Sequence, residues 1–398
     1  MKKLKKFVFT ILLVLLTITF NVYSTKALII LNIENDEDIP NSVDDETTDS
    51  INEDLIYNNE NKVDKNAPLR VSARNAIAID SKTNQVLWSQ NAYEVVPMAS
   101  TTKILTALVA INYGDLDKVV IISKNAAAIR GSTVGYKAGE EVTMRELLFG
   151  LMFRSGNDAA IAIAEEIGGS IENFSNIMND FAKSLGIIDS HFESPHGLDS
   201  GKHYSSAYDL AILTSKAMEY DVFREISGEK VITRDKYNFT RDYQNINKIL
   251  HRIPGANGVK TGYTGGAGKC LVSSVNYNNR DIIIVVLNCP DRWNVTEKIF
   301  NYVKENNNFI NISNKDALNK ENLAGLGNII QEDEVTYGYK EKDDLEVEVF
   351  NRYFDVETGK ILGKISVRDE NQEKSKFPLR SSVDISKEEF EKIIPKVE

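Results

Sequence analysis

The sequence predicts an α+β protein, on two observations. Strand-like runs lie at both ends of a helical middle, so one sheet has to be assembled from distant segments with helices packed on its faces. A change of composition near 306–311 then separates a smaller β-rich unit. In order, strands are expected over 75–80 and 85–90, joined by the turn residues Ser81-Lys82-Thr83-Asn84. Over 100–113, Ile104, Leu105, Leu108, Val109 and Ile111 recur at roughly helical spacing, and Gly114 stands just past the end. Further helices are expected over 144–154, 158–167, 171–185 and 206–220. Strands return over 258–262, 269–275 and 282–287, and a helix over 295–306 closes the domain. Beyond it, 334–339, 344–353 and 361–367 carry β-branched and aromatic residues, with Glu357-Thr358-Gly359 as turn chemistry. Residues 387–398 form at most a short charged helix, too thin in apolar residues for a membrane-surface anchor.

Of the 398 residues, 42% are apolar and 26% charged, the balance of an ordinary globular protein. The net charge of −11 leaves no electrostatic footprint for nucleic acid. Residues 34–64 are dense in Asp, Glu and Asn and cannot bury enough surface to offset ordering, which makes them a solvated spacer. Before it, Met1-Lys2-Lys3-Leu4-Lys5-Lys6 is basic, 7–20 is apolar, and small residues follow at Ser24 and Ala27. That is the layout of a secretory signal peptide, with an uncleaved anchor as the alternative. The division expected is 1–27 signal peptide, 28–66 acidic spacer, 67–305 main domain and 306–398 β-rich domain.

The two cysteines, Cys270 and Cys289, lie near the open ends of a hairpin around Asn278-Asn279-Arg280. A turn centred on Asn279-Arg280 puts them opposite each other, within disulfide range. A one-residue slip puts them on opposite faces as small buried thiols, the reading adopted here. His191, His196, His203 and His251 have no zinc-type spacing, and no metal or cofactor is called for.

Three short signals carry the chemistry. In Ser100-Thr101-Thr102-Lys103 the first and last residues share one helix face, bringing an amine to a hydroxyl. Serine needs a base to become a nucleophile, and lysine serves only where desolvation or nearby positive charge lowers its pKa. Alone the pattern is weak: Ser227-Gly228-Glu229-Lys230 also matches, by chance in a polar stretch. Ser155-Gly156-Asn157 offers a proton-relaying hydroxyl and an amide able to bond both substrate and Lys103, or simply a helix stop followed by an N-cap. Lys260-Thr261-Gly262 ends a strand before Tyr263-Thr264-Gly265-Gly266-Ala267-Gly268. A cation and a hydroxyl on an edge strand suit a substrate carboxylate, and glycines let a peptide backbone approach; a surface lysine before a hairpin turn is the plainer alternative.

In this order the three signals resemble the penicillin-recognising serine enzymes. The finer resemblance is to the low-molecular-weight penicillin-binding proteins, the D-alanyl-D-alanine carboxypeptidases of peptidase family S11. It rests on Met98-Ala99-Ser100-Thr101-Thr102-Lys103-Ile104-Leu105-Thr106, Arg154-Ser155-Gly156-Asn157-Asp158-Ala159-Ala160, Pro195-His196-Gly197-Leu198-Asp199, Tyr204-Ser205-Ser206-Ala207-Tyr208-Asp209 and Gly258-Val259-Lys260-Thr261-Gly262-Tyr263-Thr264. It covers roughly 67–305, and the tail resembles the family's C-terminal domain more loosely. The resemblance implies a β-lactamase/transpeptidase-like domain, an antiparallel sheet flanked by helices, with a small all-β domain after it.

It further implies that Ser100 attacks the carbonyl between two terminal D-alanines of a peptidoglycan stem peptide, with Lys103 as base. Ser155 then relays the proton to the departing D-alanine and Asn157 positions the acyl chain. Lys260 and Thr261 hold the terminal carboxylate beside Gly262, and the N–H groups of Ser100 and Tyr263 form the oxyanion hole. β-Lactams become covalent inhibitors, and the enzyme works on the outer side of the cytoplasmic membrane in cell-wall and cell-shape metabolism. Peripheral membrane or wall association stays open. Arg292 is a second candidate for the carboxylate. His196 reads as a loop-ordering residue, Tyr204 and Tyr208 as packing near the site, and Asp199 and Asp209 as turn and helix-cap chemistry.

Three rivals keep the fold. A class A β-lactamase needs a glutamate for its deacylating water, but no Glu-x-x-Leu-Asn follows Ser155, and the middle motif is Ser-Gly-Asn. A transpeptidase or endopeptidase would carry the same motifs. Intact motifs argue against a catalytically silent scaffold.

Overall fold

A computed structural model describes residues 69–313 without interruption and, beyond them, 318, 327–330, 334–339, 343–349, 355, 357–369 and 372–393. The expected signal peptide and acidic spacer lie outside the described residues, as does part of the strand expected over 344–353.

The chain starts with β1 (Asn75–Asp80) and β2 (Val86–Gln90), then a 3-10 turn (Ala99–Thr102) that runs into α1 (Lys103–Tyr113). A helical middle follows: β3 (Val119–Ile121), α2 (Lys124–Ala128), β4 (Glu141–Thr143), α3 (Met144–Phe153), α4 (Asn157–Gly168), α5 (Ile171–Ser184), α6 (Ala207–Ala217) and α7 (Asp221–Gly228). Then come β5 (Val231–Ile232), β6 (Tyr243–Gln244), α8 (Ile249–Arg252), β7 (Ala256–Thr264), β8 (Gly268–Tyr277), β9 (Arg280–Leu287) and α9 (Arg292–Asn306). The two-residue and three-residue strands pair as β3–β4 and β5–β6, and like α7 they were too short to show a period in the sequence.

The main sheet has the order β2-β1-β9-β8-β7, antiparallel throughout, so β7 with its Lys-Thr-Gly segment is an edge strand. Covered on both faces, its inner strands read as nearly continuous apolar runs. Alternate residues still go to different cores: Ile77, Ile79, Ile283 and Val285 join the helical middle, whereas Ala76, Ala78, Ile282 and Ile284 pack with Ile299 and Phe300 of α9.

Tyr277 pairs with Arg280, so the β8–β9 turn is Asn278-Asn279, both at positive φ (52° and 60°), as a two-residue hairpin with a right-handed twist requires. The ladder is therefore not the one that sets the cysteines opposite each other. Cys270 belongs to the helical-side core and Cys289 to the other, both as free thiols. Burial pushes the Cys270 thiol up to about 11 and that of Cys289 to about 12. Neither cysteine should react with a thiol reagent at pH 8 until the protein is unfolded, when both should; rapid labelling of the native chain would contradict their burial.

α9 ends at Asn306 and β10 (Asn308–Ser313) begins at once, where the composition changes. β10 pairs with β11 (Glu334–Tyr339), while β12 (Asp343–Val349), β13 (Ile361–Asp369) and β14 (Gln372–Arg380) form a three-stranded sheet. Two of these, β10 and β14, were not expected; β14 is too polar to show as a strand by composition. Gly359 in the expected turn has φ +83°. α10 (Lys387–Ile393) buries Phe390, which docks the final helix on protein.

Candidate active site

The helix expected from 100 starts as a 3-10 turn, and this turn is where the nucleophile candidate sits. Ala99 has φ +51°, a left-handed conformation costly for any residue but glycine, and its neighbours Ser100 to Thr102 are buried. Lys103, the first residue of α1, is fully buried. Its Nζ lies 2.9 Å from Ser100 Oγ, 2.7 Å from Asn157 Oδ1 and 2.9 Å from the His196 carbonyl oxygen. The last two partners can only accept. A neutral amine would give them its two N–H bonds and turn its lone pair toward the Ser100 hydroxyl, the arrangement a general base needs.

Ser155 has φ +55° in the gap between α3 and α4. The N-cap of α4 is Gly156, and Asn157 is its first residue, so the amide is free of capping duty. Asn157 Nδ2 donates to the Arg130 carbonyl (2.9 Å), which fixes the side chain with Oδ1 toward Lys103. The next residue, Asp158, is buried and accepts from the backbone N–H groups of Val134, Gly135 and Tyr136 at 3.0, 2.8 and 3.2 Å. It anchors the 134–136 loop to the start of α4. No sequence signal marks that role, because its partners lie more than a helix away.

From the edge strand, Lys260 Nζ donates to Ser155 Oγ (2.9 Å) and to the Thr261 carbonyl (2.8 Å). Gly262 lies against the nucleophile turn: a Cβ there would stand 3.1 Å from Ser100 N and from Ala99 Cβ. Ser100, Lys103, Ser155, Asn157, Lys260 and Gly262 are thus linked in one cluster, with buried Thr261 and half-buried Tyr263 continuing the strand beside them. Arg292 donates to the Gly262 carbonyl (3.1 Å) and stacks on Trp293, 4.9 Å from the ring. By contrast, Ser227 of the second Ser-x-x-Lys copy ends α7 and bonds the Asn257 carbonyl.

The 193–203 loop closes the cluster. Thr106 Oγ1 donates to the Pro195 carbonyl (2.6 Å), Lys103 to that of His196, and His203 Nε2 lies 2.8 Å from Thr102 Oγ1. His196 orders the loop: its Nδ1 accepts from Leu198 N, and its backbone, not its ring, meets Lys103. Two expectations change here. Asp199 does not merely shape a turn; its carboxylate accepts from Thr264 Oγ1 (2.7 Å) and Gly266 N (2.8 Å), tying the loop to the end of β7. Asp209 serves the cap of α6 through its N–H, which donates to the capping Ser206 Oγ (3.0 Å), but its carboxylate accepts from Asp189 N and Ser190 Oγ, partners no local pattern reveals. Tyr208 stacks on Tyr93 and Tyr204 on His191.

Burial lowers the His196 pKa to about 3 and that of His203 to about 4. Both rings are neutral in the folded protein at pH 7, while the unfolded chain takes up protons below about 6.5. The unfolded state therefore binds more protons in this window, and stability falls as pH drops from about 6.5 toward the folded values. Urea midpoints should decline over that range, and His203→Gln should make the decline shallower; an unchanged slope would contradict the buried neutral ring.

A model of the D-alanyl-D-alanine carboxypeptidase family matches residues 60–291. The D-alanyl-D-alanine carboxypeptidase DacF of Bacillus subtilis is 38% identical over 228 residues, 56% of this chain and 59% of that protein. DacC of Escherichia coli is 36% identical over 248 residues, 58% of this chain and 61% of that one. The chain therefore matches about three fifths of each relative's length. Among solved structures, the D-alanyl-D-alanine carboxypeptidase DacD of Francisella tularensis superposes with a TM-score of 0.62 at 25% identity, covering 82% of this chain and 97% of that one. A Streptomyces K15 DD-transpeptidase variant superposes with a TM-score of 0.56 at 31% identity, covering 60% and 99%. The match spans all three motifs that the fold gathers around Lys103, and the chain belongs to the D-alanyl-D-alanine carboxypeptidase family, peptidase family S11.

Proposed function

We propose that the protein is a serine-type D-alanyl-D-alanine carboxypeptidase that removes the terminal D-alanine from peptidoglycan stem peptides through an acyl-enzyme. The observation that carries this reading is Lys103, buried, bonded to Asn157 Oδ1 and the His196 carbonyl, with its Nζ 2.9 Å from Ser100 Oγ. In this mechanism Ser100 Oγ bonds to the scissile carbonyl carbon as its proton passes to Lys103. The oxyanion lies toward the N–H groups of Ser100 and Tyr263. Collapse expels D-alanine, whose nitrogen takes a proton through Ser155, and water then releases the shortened peptide and free Ser100. Lys260, hydrogen-bonded to Ser155, puts positive charge where the substrate carboxylate has to lie, beside the Thr261 hydroxyl. A β-lactam would acylate Ser100 by the same attack. The basic-then-apolar 1–27 segment, laid out like a secretory signal, supports a site of action outside the cytoplasmic membrane.

The likeness to a DD-transpeptidase supports a second outcome, capture of the acyl group by an amine. Incubating the protein with a diacyl peptide ending in D-Ala-D-Ala, with and without glycine as acceptor, separates the two. Free D-alanine matched by shortened peptide in water supports the carboxypeptidase. Release only with the acceptor would make the protein a transpeptidase, and no release from a folded, penicillin-labelled chain would refute the carboxypeptidase reading.

A further inference from the structure

We infer that His203 is a positioning residue for the oxyanion hole, acting through Thr102 and the Ala99–Ser100 peptide group.

The direction of the hydrogen bonds follows from the donors. Glu193 N can only donate, and it lies 3.0 Å from His203 Nδ1, so Nδ1 accepts and the ring proton is on Nε2. Nε2–H then donates to Thr102 Oγ1 (2.8 Å), and the Thr102 hydroxyl donates to the Ala99 carbonyl oxygen (2.8 Å). Each link has one donor and one acceptor, and both Thr102 and His203 are buried, so water does not compete. Bonds in such a chain polarise one another.

Its end point matters because a peptide group is planar. Ala99–Ser100 is trans, so the Ala99 C=O and the Ser100 N–H point in opposite directions in one rigid plane. Fixing the carbonyl on the Thr102 side fixes the Ser100 N–H on the other side. The left-handed Ala99 (φ +51°) is a costly conformation that persists only where its surroundings hold it, and here the Thr102 hydroxyl, itself held by His203, does so from the far end of the turn. The same loop packs Gly197 directly over the Ala99 carbonyl. A polarised carbonyl also makes the N–H of its own amide a better donor, which favours a negative oxygen over a neutral one.

This inference rests on the acyl-enzyme reading above, and its test keeps the two apart. Stopped-flow acylation by a penicillin gives the acylation rate constant and the dissociation constant of the prior complex. A boronic acid that takes Ser100 Oγ as a fourth ligand to boron brings a negative charge into the site. Thr102→Val and His203→Phe should each slow acylation about 10- to 100-fold, less than or comparable to losing a donor outright. Boronate binding should weaken by the same factor, while the prior penicillin complex keeps its affinity. Thr102→Ser should restore both, and the double variant should be no slower than the slower single one. If His203→Phe does not fold, Thr102→Val and Thr102→Ser decide alone. Unchanged acylation in Thr102→Val, a loss confined to affinity, or additive losses would overturn the role of His203. Absence of acylation in the wild type would remove the acyl-enzyme reading and this inference together.

Discussion

Replacing Ser100 with alanine is expected to abolish the covalent penicillin adduct and to lower D-alanine release by about 10⁴- to 10⁶-fold, as in other serine hydrolases. The cause is local. The other hydroxyls near the buried amine already have duties: Ser155 Oγ accepts from Lys260, and Thr102 Oγ1 donates to the Ala99 carbonyl. Lys103→Ala removes the base but leaves the hydroxyl, and should cost about 10²- to 10⁴-fold. Because the pair acts as a unit, the double variant should be no worse than Ser100→Ala. Lys103→Arg should not restore activity, since a guanidinium keeps its proton. Intact-mass measurement after penicillin treatment checks each variant. An adduct on Ser100→Ala would remove Ser100 as nucleophile, and full activity in Lys103→Ala would remove the lysine as base.

What the sequence disclosed and what it hid divide along a physical line. Ser100 and Lys103 lie within one turn, so helical periodicity alone brought them together. Strands at 75–80 and 282–287 were visible because a strand buried on both faces must be apolar, as β1 and β9 are. The joining of Ser155, Asn157 and Lys260 to that pair depends on β7 pairing at the sheet edge and α4 packing beside α1. Order of motifs, through resemblance, was the only guide to it. Contacts made by backbone were invisible: the His196 carbonyl on Lys103 could not be read from the residue type, which drew attention to the ring. Nor could composition show Asp158, Asp199 or Asp209 reaching across many residues to N–H groups. The cysteines turned on one residue of register in the Asn278-Asn279 turn, the quantity sequence periodicity fixes least well.

Gly197→Ala is the second substitution expected to have a large effect, although no atom of residue 197 reacts. At φ +88° the backbone there disfavours any side chain, and a Cβ would stand 2.0 Å from the Ala99 carbonyl oxygen and 2.6 Å from Thr102 Oγ1. Neither neighbour can yield cheaply. The Ala99 carbonyl accepts from Thr102, the Thr102 hydroxyl meets His203, and the adjacent His196 carbonyl holds Lys103. The loop must therefore lift from the nucleophile turn, withdrawing an acceptor from the amine as it goes. Backbone strain and overpacking should each cost about 1–3 kcal/mol, lowering the melting temperature. Displacing the catalytic pair by about 1 Å should slow acylation by about 10²-fold. Gly201→Ala provides the control in the same loop, because a Cβ there meets nothing within 4 Å. Thermal unfolding and penicillin acylation of the two variants side by side decide the matter. If Gly197→Ala acylates at the wild-type rate, the loop does not hold the nucleophile turn in place, and the geometry of Lys103 is secured by partners outside the loop, Asn157 among them.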